Sequence, residues 1–187
     1  MATRPKSPPR LVALLRGINV GGKHKLPMEE LRRIATQLGW RDAATVIQTG
    51  NLLFTADVDE LAAAKTLERA LAEECGFAVP VVVRRLDALR RDLAECPCAE
   101  ARTERPSLLH AGWSRAKLPK TLAADLAPYA KGGERIAVVG HCVWIDFVGG
   151  VARSKVTSAV LDRLVEGTVT LRNSKTFAAI LAGDAGE

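Results

Sequence analysis

The segment LVALLRGINVGGKHKLPM, residues 11–28, decides how the fold begins. Its first five residues are apolar, as in a buried β-strand, and Pro27 near its end is typical of the first turn of an α-helix. Gly17, Gly21 and Gly22 stand between them, and glycine lets a backbone turn sharply. The segment therefore predicts a strand that passes through a glycine-rich loop into a helix.

Hydrophobic periodicity continues this pattern along the first half of the chain. Two segments carry apolar residues at helical spacing, and each is followed by a glycine, Gly39 or Gly76. Thr49-Gly50 is suited to the tight turn of a hairpin. The order βαββαβ is that of a ferredoxin-like unit, an antiparallel sheet with both helices on one face. The predicted strands are 11–16, 45–48, 51–55 and 79–85, and the predicted helices are 28–39 and 60–75.

The same order recurs in the second half, after a connecting helix over 86–95 and a polar stretch over 96–105. Lys117-Leu118-Pro119 opens its first helix as Lys25-Leu26-Pro27 opens that of the first half. The predicted elements are strand 107–112, helix 119–129, a hairpin of 135–139 with 142–148, helix 155–165, strand 168–171 and a final helix over 174–182.

We therefore expect an α+β fold of two tandem ferredoxin-like units plus a C-terminal helix. The repeated order of elements is consistent with an internal repeat. Four segments divide the chain. They are a disordered basic tail (1–10), unit one (11–86), a connecting helix and loop (87–105), and unit two with the C-terminal helix (106–187).

The net charge of +6 has a single origin. Residues 1–28 contain six Lys and Arg and no Asp or Glu, whereas residues 29–187 contain 21 of each sign. The excess positive charge thus lies in the N-terminal tail and the glycine-rich loop. A basic tail can serve solubility alone, but a general nucleic-acid binder more often spreads its charge over a face.

Composition excludes several classes of protein. The apolar content of 48% supports a core, while no apolar run approaches the ~20 residues of a membrane span and no secretory signal is evident. We expect a cytoplasmic protein with no membrane association. The four cysteines lack the spacing of a metal knuckle or a disulfide framework, so we favour free thiols over a zinc site at Cys142 and the neighbouring His141. We predict no metal and no cofactor.

The glycine-rich loop is the first candidate site. Glycine exposes backbone N–H groups, and lysines add positive charge, which together suit an anion such as phosphate. The pattern is neither a phosphate-binding P-loop nor a dinucleotide fingerprint. The alternative is a connection whose glycines serve geometry and whose lysines serve solubility. The candidate ligand-binding residues are Arg16, Asn19, Gly21, Gly22, Lys23 and Lys25.

Further candidates follow from two other segments. Gln48 and Asn51 flank the predicted hairpin turn, where they either serve turn chemistry or offer amides to a base or sugar. Ser154 is a candidate N-cap for helix 155–165, and Ser174 or Asn173 for the last helix. If the fold brings them near the loop, a second cationic wall would consist of Ser154, Lys155, Arg172 and Asn173.

Four landmarks, taken in order, resemble the domain of unknown function 1697 family. They are LLRGINVGGKHKLPM (14–28), IQTGNLLF (47–54), Arg153-Ser154-Lys155 and Thr170-Leu171-Arg172-Asn173. The resemblance spans nearly the whole chain and implies a pair of ferredoxin-like units. Members of the family commonly continue with Trp-Asn-Thr, where this chain has Ser174 and Lys175 before Thr176. The family brings no established activity.

Two hypotheses for function follow. In the first, the chain binds a small phosphorylated or anionic ligand, a nucleotide among the options, at the Gly/Lys loop. In the second, it is a non-enzymatic nucleic-acid or protein interaction module that uses the basic N-terminus. The sequence leaves open whether a reaction is catalysed and which oligomer forms.

Overall fold

Two units, Met1–Asp87 and Ala88–Glu187, make up the chain. The computed structural model describes residues 8–21 and 24–184. Residues 1–7 of the predicted tail, and Gly22 and Lys23 of the predicted anion site, therefore lie outside the described residues. Each unit is described by itself below.

Unit one is a four-stranded antiparallel sheet with strand order β2-β3-β1-β4. The connections follow the βαββαβ order predicted from the sequence. Its elements are β1 (Arg10–Leu15), α1 (Met28–Gln37), β2 (Arg41–Thr45), β3 (Asn51–Thr55), α2 (Glu60–Cys75) and β4 (Val81–Arg85).

Unit two repeats this arrangement with strand order β6-β7-β5-β8. The two-unit α+β fold and the C-terminal helix are thus confirmed. After α3 (Leu86–Ala94) its elements are α4 (Ala99–Glu104), β5 (Leu109–Ser114), α5 (Leu122–Leu126), a 3-10 turn (Ala127–Tyr129), β6 (Arg135–Val139), β7 (Cys142–Asp146), a 3-10 turn (Val151–Arg153), α6 (Ser158–Val165), β8 (Val169–Asn173) and α7 (Ser174–Gly183).

The core of unit one lies between the sheet and its two helices. Alternate residues of β1, beginning at Leu11, face α1 and α2, which bury Leu31, Ile34 and Leu67 against them. This is the period-2 pattern of the strand meeting the 3.6-residue pattern of the helices. The Trp40 and Phe54 rings stack in the same core with centroids 4.0 Å apart. The packing fixes where β1 ends and where α1 begins, and so where the glycine-rich loop lies.

The predicted second strand, 45–48, is wrong. β2 lies earlier and carries an irregularity between Arg41 and Ala44. Val46 and Ile47 look like strand residues, but Ile47 has φ 59° and cannot continue a strand. The hairpin connection consequently spans residues 46–50 and is longer than the tight Thr49-Gly50 turn that the sequence predicted.

Helix bounds in unit two also differ from the prediction. The predicted helix 119–129 is only α5 followed by the 3-10 turn that contains Pro128, which lacks an N–H for an α-helical bond. The predicted helix 155–165 begins later, at Ser158, because Thr157 is its N-cap. The polar stretch before β5 contains α4, which the sequence analysis did not predict.

Gly50 holds the hairpin against the glycine-rich loop. Its carbonyl accepts a 2.8 Å hydrogen bond from the N–H of Leu15, and its φ is +79°. A Cβ atom there would lie 2.7 Å from Cδ1 of Ile18 and 2.8 Å from Cβ of Leu15. Only glycine therefore fits this close approach.

We predict that Gly50→Ala lowers the free energy of unfolding more than Gly76→Ala does. Gly76 has a similar φ of +74° but nothing within 4 Å of an added Cβ, so both substitutions carry the left-handed backbone cost of about 1–2 kcal/mol. Crowding should add about 1–3 kcal/mol at Gly50 alone. Urea unfolding of the two variants measures the difference. Equal losses would contradict the close packing of the hairpin on the loop.

Candidate functional site

The glycine-rich loop is anchored at both sides where it leaves β1. The N–H of Leu15 bonds to Gly50 in the hairpin, and the N–H of Arg16 donates to the carbonyl of Pro80 at 2.9 Å. The loop thus starts from a fixed point on the sheet. The side chain of Arg16 is half-buried at this point.

The side chain of Asn19 joins the loop to both neighbouring segments. Its Nδ2 donates to the carbonyls of Leu26 at 2.9 Å and of Gln48 at 3.0 Å. Its Oδ1 accepts from the N–H of Leu26 at 2.9 Å. Both amide hydrogens are therefore used within the protein. We call this set of three hydrogen bonds the Asn19 latch.

Left-handed backbone conformations concentrate in the loop and the hairpin. Asn19 and His24 have φ values of 54° and 49°, and Ile47 on the facing hairpin has 59°. A β-branched residue in this region costs of order 1–3 kcal/mol, and such strain tends to collect at binding and catalytic sites. The latch is what holds the strained loop in place.

A pocket of 340 Å³ opens between the loop and the hairpin. The start of α1 forms part of its wall, because Pro27, the N-cap residue of that helix, lines the pocket. Pro27 provides no side-chain cap. The N–H groups of the first turn have no acceptor within the helix, and the side chain of Pro27 supplies none. The pocket is lined by Asn19, Lys25, Leu26, Pro27 and Gln48.

Asn19 and Lys25 of the first candidate site meet Gln48 of the predicted hairpin turn at this pocket. Gly21 is exposed in the loop. Asn51 is fully buried instead, and its Nδ2 donates to Val46 at 2.9 Å and to Oγ1 of Thr49 at 3.3 Å. Its role is thus to close the hairpin turn, which is the structural option that the sequence analysis offered.

The predicted N-cap role of Ser154 is wrong. The hydroxyl of Thr157 caps α6 by accepting from the N–H of Val160 at 3.3 Å. Ser154 lies before the helix, where its hydroxyl donates to Glu134 and accepts from the N–H of Val156 at 3.0 Å. Lys155 beside it is exposed.

Glu134 changes the electrostatics of this second segment. Burial opposes its ionisation, but hydrogen bonds from Ser154 and from the N–H of Gly132 outweigh that effect and lower its pKa. No Asp or Glu occurs between Asp146 and Asp162, so the sequence alone predicts a cationic segment around Ser154. The contact comes from 20 residues away in the chain, so sequence proximity gave no signal of it.

Arg172 and Asn173 lie at the end of β8. Nη1 of Arg172 donates to Oγ1 of Thr170 at 3.1 Å and to the carbonyl of Leu171 at 2.9 Å, and burial lowers its pKa to about 10. Oδ1 of Asn173 accepts from the N–H of Thr176 at 2.9 Å. Asn173 therefore caps α7, one of the two caps that the sequence predicted.

The sequence analysis missed one pair of rings beside the loop. The imidazole of His24 stacks on Phe77 with centroids 4.6 Å apart and an angle of 20° between the planes. His24 lies in the glycine-rich loop, whereas Phe77 lies beyond the end of α2. No sequence pattern links residues so far apart.

The described part of the chain contains neither a cluster of metal ligands nor a membrane-spanning helix. Within residues 8–21 and 24–184, no three His, Cys, Asp or Glu side chains converge as a metal ion would require. None of the four cysteines is part of a disulfide bond. In the same residues, no helix combines the length and the apolar character needed to span a bilayer.

Residues 9–144 match a family described as "Protein of unknown function (DUF1697)". The chain belongs to this family. Its fold is similar to that of the conserved bacterial protein SP0830 from Streptococcus pneumoniae, with a TM-score of 0.69, 21% sequence identity, and coverage of 93% of this chain and 97% of that one. At that identity the likeness concerns the fold alone. No curated protein matches the chain.

We predict that two substitutions of Asn19 separate the contribution of its hydrogen bonds to stability from the cost of its positive φ. Asn19→Gly keeps the positive φ free of cost but deletes three hydrogen bonds, so it should lower the free energy of unfolding by about 1–2 kcal/mol. Asn19→Ala should lose about 1 kcal/mol more, because alanine is strained at this φ.

Urea unfolding and hydrogen exchange of the Leu26 amide measure both effects. Faster exchange at Leu26 is expected in each variant, since its N–H loses Oδ1 of Asn19. Wild-type stability and exchange in Asn19→Gly would show that the latch does not hold the loop.

Proposed function

We propose that unit one binds a small phosphorylated or other anionic ligand in the pocket between the loop and the hairpin. The observation that carries the proposal is the cavity that Lys25 lines together with Pro27, the residue from which α1 starts without a side-chain cap. Helix N-termini attract anions because their N–H groups point outward and the helix dipole is positive there.

The carboxylates nearest this helix start are partly engaged elsewhere. Glu30 accepts from Nε of Arg33 at 3.0 Å, and this hydrogen bond lowers the pKa of Glu30. Arg33, which also pairs with Glu74 of α2 at 2.7 Å, offsets the charge of Glu30 within the first turn of α1. Glu29 remains exposed in the first turn and is the main local charge that opposes an anion.

The charge of the surrounding chain supports the same ligand class. Residues 16–28 contain Arg16, Lys23 and Lys25 and no carboxylate, so the segment of the loop carries a positive charge. The side chain of Lys25 is exposed and is long enough to reach a phosphate group that enters the pocket. Gln48 is exposed on the opposite wall and offers an amide to a phosphate oxygen or a hydroxyl group.

The lining favours binding over chemistry. Lys25 is the one ionisable side chain among the five described lining residues. Asn19 has both amide hydrogens occupied, so it positions the wall and does not contact the ligand through N–H groups. We therefore propose a binding role for the described residues, with Lys25, Gln48 and the first turn of α1 as the contacts.

A thermal-shift titration with inorganic pyrophosphate tests this proposal. At about ten times the Kd, mass action adds ~1.4 kcal/mol of stability, which raises the Tm by several degrees. Lys25→Ala should weaken binding about tenfold, the effect of losing one charge-assisted hydrogen bond. Lys65→Ala, an exposed lysine on α2, is the matched control and should bind as wild type does.

The alternative role as an interaction module predicts different results. A chain that lacks residues 1–7 should bind pyrophosphate normally if the pocket is the site. A polyanion that binds only the full chain, with steep salt dependence, would favour the module instead. No stabilisation of wild type, or equal stabilisation of Lys25→Ala, would contradict the proposal.

A further inference from the structure

An exposed imidazole, that of His24, immediately precedes Lys25 in the chain. His24 precedes Lys25 in the chain, so their Cα atoms are about 3.8 Å apart. One face of the His24 imidazole is covered by Phe77, and its Nδ1 lies 3.3 Å from the carbonyl of Gly17, to which it donates. The residue is nevertheless exposed. Phe77 covers one face of the ring, so a stacked ligand would occupy the other.

This arrangement is unusual within the described residues. The Trp40–Phe54 and Trp113–Phe177 pairs are buried, and the His110–Phe147 pair has its phenylalanine buried. The His24–Phe77 pair is the ring contact that presents an exposed ring. The ring also has two partners within the protein, because Phe77 stacks on one face and the Gly17 carbonyl accepts from Nδ1.

We infer that the ligand of the pocket is a nucleotide whose base stacks on the exposed face of His24 while its phosphate meets Lys25 and the start of α1. This inference rests on the proposed function and adds the class of ligand to it. Proteins commonly hold bases on exposed aromatic or imidazole rings, and such stacking is tolerant of base identity. Gln48, across the pocket, supplies an amide for a ribose hydroxyl or a base edge.

A phosphosugar makes a different use of the same site. It would satisfy Lys25 and the helix start but would leave the ring face of His24 uncovered. The two ligand classes are therefore distinguished by the contribution of one side chain. The base should strengthen binding at least about fivefold over the matching ribose phosphate, the lower end of what one stacked base contributes.

Calorimetric titration of the full chain with adenosine monophosphate, ribose phosphate and pyrophosphate measures this contribution. His24→Asn removes the ring and suits a positive φ, since asparagine adopts that conformation readily. It should abolish the preference for adenosine monophosphate and leave ribose phosphate binding unchanged. His24→Phe restores a ring and should restore the preference. His141→Asn, at an exposed histidine in unit two, is the matched control and should behave as wild type does.

A fluorescent base gives a readout that a merely structural role would not move. The monophosphate of 2-aminopurine riboside should lose emission on binding to wild type and to His24→Phe, because stacking quenches it, but not on binding to His24→Asn. Equal affinity for adenosine monophosphate and ribose phosphate, unchanged by His24→Asn, would overturn the inference and leave the proposed function standing. Failure of all three phosphates to bind would overturn both.

Discussion

The geometry of the candidate site depends on the side chain of Asn19. Three hydrogen bonds of one side-chain amide connect the loop after β1 with Leu26, two residues before α1, and with the hairpin carbonyl of Gln48. Gly50 makes the contact possible by bringing the hairpin close enough. The pocket walls are therefore set by backbone groups that the latch fixes, and the ligand-facing side chains are carried on those walls. A loop without the latch would keep its charge but lose its shape.

The two units have the same strand order but differ in the region that precedes their helices. In unit one, the segment before α1 is glycine-rich, strained and positive, and the helix starts at Pro27 without a side-chain cap. In unit two, the segment before α6 is satisfied internally, because Ser154 binds Glu134 and Thr157 caps the helix. In order along the chain, α5 is the counterpart of α1, and its N-cap residue Thr121 likewise makes no side-chain cap, while α2, the counterpart of α6, is capped by Asp59. The glycine-rich, positively charged segment before α1, and not the capping pattern, therefore distinguishes the first unit.

Sequence patterns predicted the elements whose bounds depend on local periodicity. They failed for the elements and contacts that depend on residues distant in the chain. The bounds of α2, Glu60–Cys75, follow from apolar spacing and from Gly76, and both agree with the structure. The Asn173 cap was also foreseen. The position of β2 was not, because the positive φ of Ile47 is imposed by the closure of the hairpin on Asn51. Glu134 and Phe77 reach the candidate sites from distant parts of the chain, and no local pattern encodes that.

The most direct test of the account is a ¹H–¹⁵N NMR titration of the full chain with pyrophosphate. If the latch-framed loop is an anion site, the amide resonances that move lie in residues 16–28 and 46–50, with Lys25 and Met28 among the largest changes. The amide resonances of residues 153–157 and 172–176 should not shift, since the polar groups of these residues are engaged within unit two. Shifts confined to those two segments, or no shifts at saturating pyrophosphate, would contradict the account.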